Sequence, residues 1–170
     1  MINRKPGFLL LIAMIALQLH AQESSPVSSG IKVNHYPVGK ISRTDLQSGW
    51  PEGYFRKEYT SYVPESEIIG KLKHLVFRQR ILIVMAFWCS DSHQQVPRFY
   101  KLLDLLRYHY GLVEVISVDR EKLAGEMDIS VYNIERVPTF IFYEGSAETG
   151  RIIETPDKSL EADMLKILSR

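Results

Sequence analysis

One residue in this chain can act as a sulfur nucleophile. Cys89 is the single cysteine among 170 residues, and it stands in Phe87-Trp88-Cys89-Ser90-Asp91-Ser92, directly after the apolar run 81–86. A strand that ends in an aromatic residue and a thiol, with a helix start straight after, is a setting for thiol–disulfide chemistry. The thiolate is the attacking species, and the free amide hydrogens and dipole of a helix N-terminus favour it. A chain that closes its own disulfide here needs a second thiol three residues on, and that position holds Ser92. An internal disulfide is therefore out of reach. Ser92 lies one helical turn beyond the sulfur, so its hydroxyl or its backbone N–H can reach it. His93 adds positive charge when protonated, whereas Asp91 places a carboxylate beside the incipient anion and opposes it. Asp91 reads equally well as an ordinary acidic residue at a helix start.

A lone thiol can attack a substrate disulfide or a sulfenic acid and form a mixed disulfide. Release then requires an external thiol or a second cysteine on the substrate. This suits disulfide shuffling, removal of small-thiol adducts or trapping of a protein client, and not dithiol reduction. The rival reading is a redox-inactive module that binds peptides or proteins, with Cys89 a remnant at a groove. Cys89 and His93 are four apart and can reach one ion, but His35, His74 and His109 form no ligand spacing with them. No metal and no cofactor is expected. The formal charge of +1 comes from scattered, balanced residues, which argues against nucleic acid as a partner.

The elements that must position Cys89 follow from periodicity. Residues 81–88 form a nearly unbroken apolar run, the pattern of a central strand buried on both faces. Pro64, Glu65 and Glu67 open a helix ahead of it, with Ile68, Ile69, Leu72, Leu75 and Val76 at helical spacing. Behind it, residues 92–110 form a helix with Val96, Phe99, Leu102, Leu103 and Leu106 on one stripe, ended by Gly111. Residues 113–119 make a second strand, a short helix is expected near 125–132, and residues 139–143 and 150–154 pair as an antiparallel hairpin. A last helix starts at Asp157 or Ser159 and carries Leu160, Met164, Leu165 and Leu168 inward. Strand–helix–strand, then hairpin and helix, gives a mixed sheet covered on both faces.

The N-terminus reads as an export signal over residues 1–21: Arg4 and Lys5, an apolar stretch over 8–19 too short to span a bilayer, and Leu19-His20-Ala21 as a cleavage site. Removal leaves a mature net charge of −1 and a periplasmic or secreted protein without a membrane span. Residues 22–61 form an N-terminal extension, Ser-rich and disordered over 22–30. Its aromatics Tyr36, Trp50, Tyr54, Phe55 and Tyr59, with Tyr62, are expected to pack down in loops with a short strand.

From about residue 62 to residue 170 the order of elements resembles the thioredoxin-like superfamily. Trp88-Cys89 stands where that family has its Trp-Cys dipeptide, and Pro97 falls where it kinks the active-site helix. The run from Tyr132-Asn133-Ile134 through Val137-Pro138-Thr139-Phe140 resembles the family segment whose proline is cis and faces the thiol. Gly145 and Gly150-Arg151 fit the following hairpin, and Trp-Cys-x-Asp-Ser is similar to a single-cysteine subgroup. The resemblance implies an α/β, thioredoxin-like fold: a central mixed β-sheet flanked by helices, here with an N-terminal extension. It further implies that the Val137 backbone beside Pro138 meets an extended substrate, although a cis proline can also simply set a tight turn, and that Trp88 shields the thiol and contacts substrate, or else caps the core. The implied partners are protein or small-thiol disulfides and an external reductant. Ile83 and Val115 depart from the family, standing where thioredoxins bury an aspartate and a nearby lysine. With Ser92 they remove the apparatus of dithiol reduction.

Overall fold

The computed structural model describes residues 36–51, 53–75 and 79–170; the proposed signal segment lies outside them. The central strand β2 (Arg80–Met85) is buried at every position from Ile81 onward. It pairs in parallel with β3 (Val113–Ser117) and antiparallel with β4 (Thr139–Glu144). An antiparallel β1 (Gly39–Ile41) closes one edge against β3, and β5 (Ala147–Ile153) closes the other against β4, giving the order β1-β3-β2-β4-β5. The hairpin turns at Gly145, whose φ of 60° suits a residue without a Cβ.

Side chains of β2 alternate between two cores, as a strand period of two requires. Ile81, Ile83, Met85 and Phe87 face one core, and Leu82, Val84 and Ala86 the other. The first core takes the buried residues of α1 (Arg43–Gly49), α2 (Tyr54–Ser61), α3 (Ser66–Leu72), α4 (Ser90–Leu105) and α5 (Leu160–Leu168). The second face is covered by the connection from β3 to β4, with Ala124, Ile129 and Val137 buried there. The helix expected near 125–132 is only a 3-10 turn, Ser130–Tyr132. Side-chain oxygens capture the backbone instead: Asp119 Oδ1 accepts from the N–H of Glu121 (3.1 Å) and Leu123 (2.8 Å), and Asp128 Oδ1 from that of Ser130 (2.9 Å).

The aromatic segment before residue 62 contains two helices where loops were expected. Ser42 and Asp45 form a reciprocal capping box that starts α1. Phe55 of α2 packs on Tyr100 of α4, and Arg98 pairs with Glu58 at 2.7 Å. Arg43 reaches Asp104 through two bonds of 3.0 and 2.7 Å, while its guanidinium lies 4.9 Å from the Tyr100 ring centroid. Helix α4 stops earlier than the expected 110. The N–H of Arg107 (φ 51°) bonds the Asp104 carbonyl and that of Tyr108 the Leu103 carbonyl, a Schellman closure without its usual glycine. Ser159 caps α5 by accepting from the Ala162 N–H at 3.2 Å.

Candidate functional site

Cys89 is the N-cap of α4, set in extended backbone (φ −93°, ψ 124°) four residues past the end of β2. Its side chain is half-buried, and Sγ donates to the Val137 carbonyl at 3.1 Å. The Val137–Pro138 peptide bond is cis. Thus the end of β2 and the start of β4, adjacent strands in the sheet, bring the thiol and a backbone acceptor together across 48 residues of chain. Trp88 is half-buried beside the sulfur; its Nε1–H donates to the Val118 carbonyl (3.2 Å), and the Arg120 guanidinium lies 5.1 Å from its ring. These contacts tie the indole to the connection that follows β3.

Ser92 and His93 find partners other than the sulfur. Ser92 is fully buried, and its Oγ accepts from the Ala86 N–H at 3.2 Å. Through this bond Ser92 ties the end of β2 to the first turn of α4, the corner that carries Cys89. Ser92→Ala is expected to leave that amide unsatisfied, lowering unfolding free energy by about 1–2 kcal/mol in urea denaturation. His93 Nε2 lies 2.5 Å from the Phe87 carbonyl; a carbonyl only accepts, so this nitrogen carries hydrogen. The ring is packed edge-on by Trp50 (5.2 Å) and Tyr54 (5.5 Å). Its side chain joins the strand–helix corner to the helices before it. Asp91 stands in the first turn of α4, where the dipole favours its charge.

A surface hollow of 390 Å³ adjoins the site, lined by Leu123, Ala124, Met127, Ile129 and Ile134 among others but not by Cys89. Among the described residues, no three His, Cys, Asp or Glu side chains are grouped to hold a metal ion, and no helix is long and apolar enough to cross a membrane.

No protein-family model matches the chain, and no curated protein does either. Solved structures with similar backbones include a protein of unknown function from Pseudomonas aeruginosa, at 16% identity and TM-score 0.49, covering 68% of this chain and 80% of that one. Thioredoxin from Fasciola hepatica is similar at 19% identity and TM-score 0.39, over 62% of this chain and 91% of its own. Oxidised mitochondrial thioredoxin 3 from Saccharomyces cerevisiae is similar at 18% identity and TM-score 0.38, over 66% and 97%. The assignment of architecture rests on this chain's own strand order, its mixed sheet and the helices packed on it. The fold is thioredoxin-like. Sequence reasoning gave no part to Arg120, which covers Trp88, to Glu148, or to the Arg151 guanidinium, which pairs with Glu148 three residues away and reaches the distant Tyr132 carbonyl.

Proposed function

We propose that this chain is an exported, single-cysteine thioredoxin-like protein that exchanges disulfides through Cys89. The observation that carries this reading is a half-buried Sγ at the start of α4, 3.1 Å from the Val137 carbonyl. In the reaction, the Cys89 S–H gives its proton to solvent and the thiolate attacks one sulfur of a substrate disulfide. The Cys89–substrate bond forms as the substrate S–S bond breaks, and the departing thiolate takes up a proton. No net oxidation occurs. A small external thiol or a second substrate cysteine then attacks the mixed disulfide and frees Cys89. Substrates are polypeptide disulfides or small-thiol adducts met in extended form, with Trp88 and the backbone at Val137 and Pro138 as contact surface. Export is supported by Arg4, Lys5 and the apolar stretch that follows them.

Wild-type protein incubated with cell-envelope extract is expected to give reductant-sensitive adducts on non-reducing electrophoresis. Cys89→Ser should give none while melting at the same temperature. Adducts of equal intensity in both proteins, or none from the wild type, would remove the exchange reading.

A further inference from the structure

Residues three apart on a regular strand point to opposite faces of the sheet. Glu148 and Arg151 of β5 nevertheless meet, Nε to Oε1 and Nη2 to Oε2, each at 2.6 Å. A register shift between Phe142 and Tyr143 makes this contact: Phe142 pairs with Gly150 and Tyr143 with Glu148, leaving Thr149 as an extra residue. Such a bulge re-aims side chains. The Thr149 hydroxyl donates back to the Phe142 carbonyl at 3.2 Å and so closes the bulge. Glu148 and Arg151 now lie opposite Tyr143 and Ile141, on the face whose core also receives Cys89 and Val137.

From there the Arg151 guanidinium reaches past its own strand. Nη1 donates to the carbonyls of Tyr132 (3.0 Å) and Asn133 (3.3 Å). These close the 3-10 turn, and Asn133 is in the left-handed region at φ 48°, so its carbonyl points away from any continuing helix. Four residues later comes Val137, whose carbonyl receives the thiol hydrogen. The far end of the same segment is held by the residue just past β5: the Glu154 N–H donates to the Pro138 carbonyl at 2.7 Å and Arg136 pairs with Glu154 at 2.8 Å. β5 and the residue that follows it hold the thiol-facing segment at both its ends.

We propose that Arg151, aimed by the bulge and held by Glu148, is a positioning residue for Cys89, fixing segment 132–138 and with it the carbonyl opposite the thiol. This rests on the exchange reading above. Arg151 and Glu148 keep 22% and 33% of their side-chain surface in water, so a general loss of stability is separated from positioning by two rates that depend differently on segment 132–138.

The test compares two rates in the full chain carrying Arg151→Gln, Arg151→Lys or Glu148→Gln. One is alkylation of Cys89 by iodoacetamide, which needs no placed backbone. The other is release of thionitrobenzoate from a peptide bearing it in disulfide linkage, which does. Arg151→Gln is expected to slow peptide exchange roughly tenfold while alkylation changes less than about twofold, because a small misplacement of a reacting group is costly. Arg151→Lys should recover part of the loss, and Glu148→Gln should show a smaller one. Hydrogen exchange of the amides in 132–138 should speed up about tenfold in Arg151→Gln, with β2 unchanged. Equal changes in both rates, or unchanged hydrogen exchange in that segment, would overturn the proposal. Wild-type protein that alkylates but exchanges no peptide disulfide would overturn the exchange reading, and hydrogen exchange would still decide whether Arg151 fixes the segment.

Discussion

Replacing Asp104 with Ala is expected to lower the unfolding free energy by about 2–4 kcal/mol at pH 6, and by progressively less below pH 4. Asp104 accepts two bonds from Arg43, one from Tyr59 at 2.6 Å and one from Tyr110. Truncation leaves a cation and two phenols without their shared acceptor. The rings around Arg43 still offer it their faces, Tyr100 at 4.9 Å and Tyr110 at 5.3 Å, and the pair keeps some contact with water. The loss therefore falls short of that for a sealed ion pair. Burial pushes the Asp104 carboxyl up, but hydrogen bonds from Arg43, Tyr110 and Tyr59 outweigh it and hold it at about 2, below the ordinary 3.8. A folded-state value below the unfolded one stabilises the protein above the unfolded value, and that stabilisation fades as pH falls from near 4 toward 2. Urea denaturation of both proteins at pH 6 and pH 2.5 should show the gap narrowing. A gap of the same size at both values would mean that Asp104 acts through packing and not through its charge.

Gly49→Ala is expected to destabilise by about 1–2 kcal/mol, although Ala is the better helix former. A Cβ at residue 49 would stand 2.5 Å from Cε1 and 2.9 Å from Cζ of Phe87. That ring has little room to give: Phe87 is fully buried, stacked on Tyr36 (5.4 Å) and met edge-on by Trp50 (5.5 Å). Its backbone carbonyl holds His93, and its neighbour in sequence is Trp88. A shift at the ring is therefore expected to alter the iodoacetamide labelling rate of Cys89 as well as the melting temperature. A variant that melts higher, with labelling unchanged, would show that the ring yields freely.

The central strands were legible because their signal is local, whereas β5 begins at Ala147, three residues before the expected 150. Residues 81–85 are apolar without interruption and are buried on both faces, and the hairpin announced itself through Gly145. The corner from Phe87 to Ser92, where β2 gives way to α4, was legible for the same reason, being a run of consecutive residues. What the sequence hid depends on partners distant in the chain. Arg107 ends α4 in a conformation that composition assigns to glycine, so the nearest glycine, Gly111, misplaced the terminus. The capping box at Ser42 uses Asp45 in place of the more familiar glutamate or glutamine, and α1 and α2 are too short to set up a clear period. Ser92 and His93 have the right spacing to reach the sulfur, but spacing did not reveal that Ser92 Oγ also accepts from the Ala86 N–H and that His93 Nε2 meets the Phe87 carbonyl, both at the strand end. Spacing along a helix says which groups can meet, and packing decides which do.

The helices ahead of residue 62 form a collar around the thiol-bearing helix. Leu46, Trp50 and Phe55 are buried in the same core as Val96, Phe99 and Tyr100. A polypeptide trimmed to begin at residue 62 would bare that side of α4 to water and lose the acceptor side of the Arg98–Glu58 pair. Such a fragment should aggregate, so the smallest self-sufficient piece of this protein is larger than the stretch from 62 to 170.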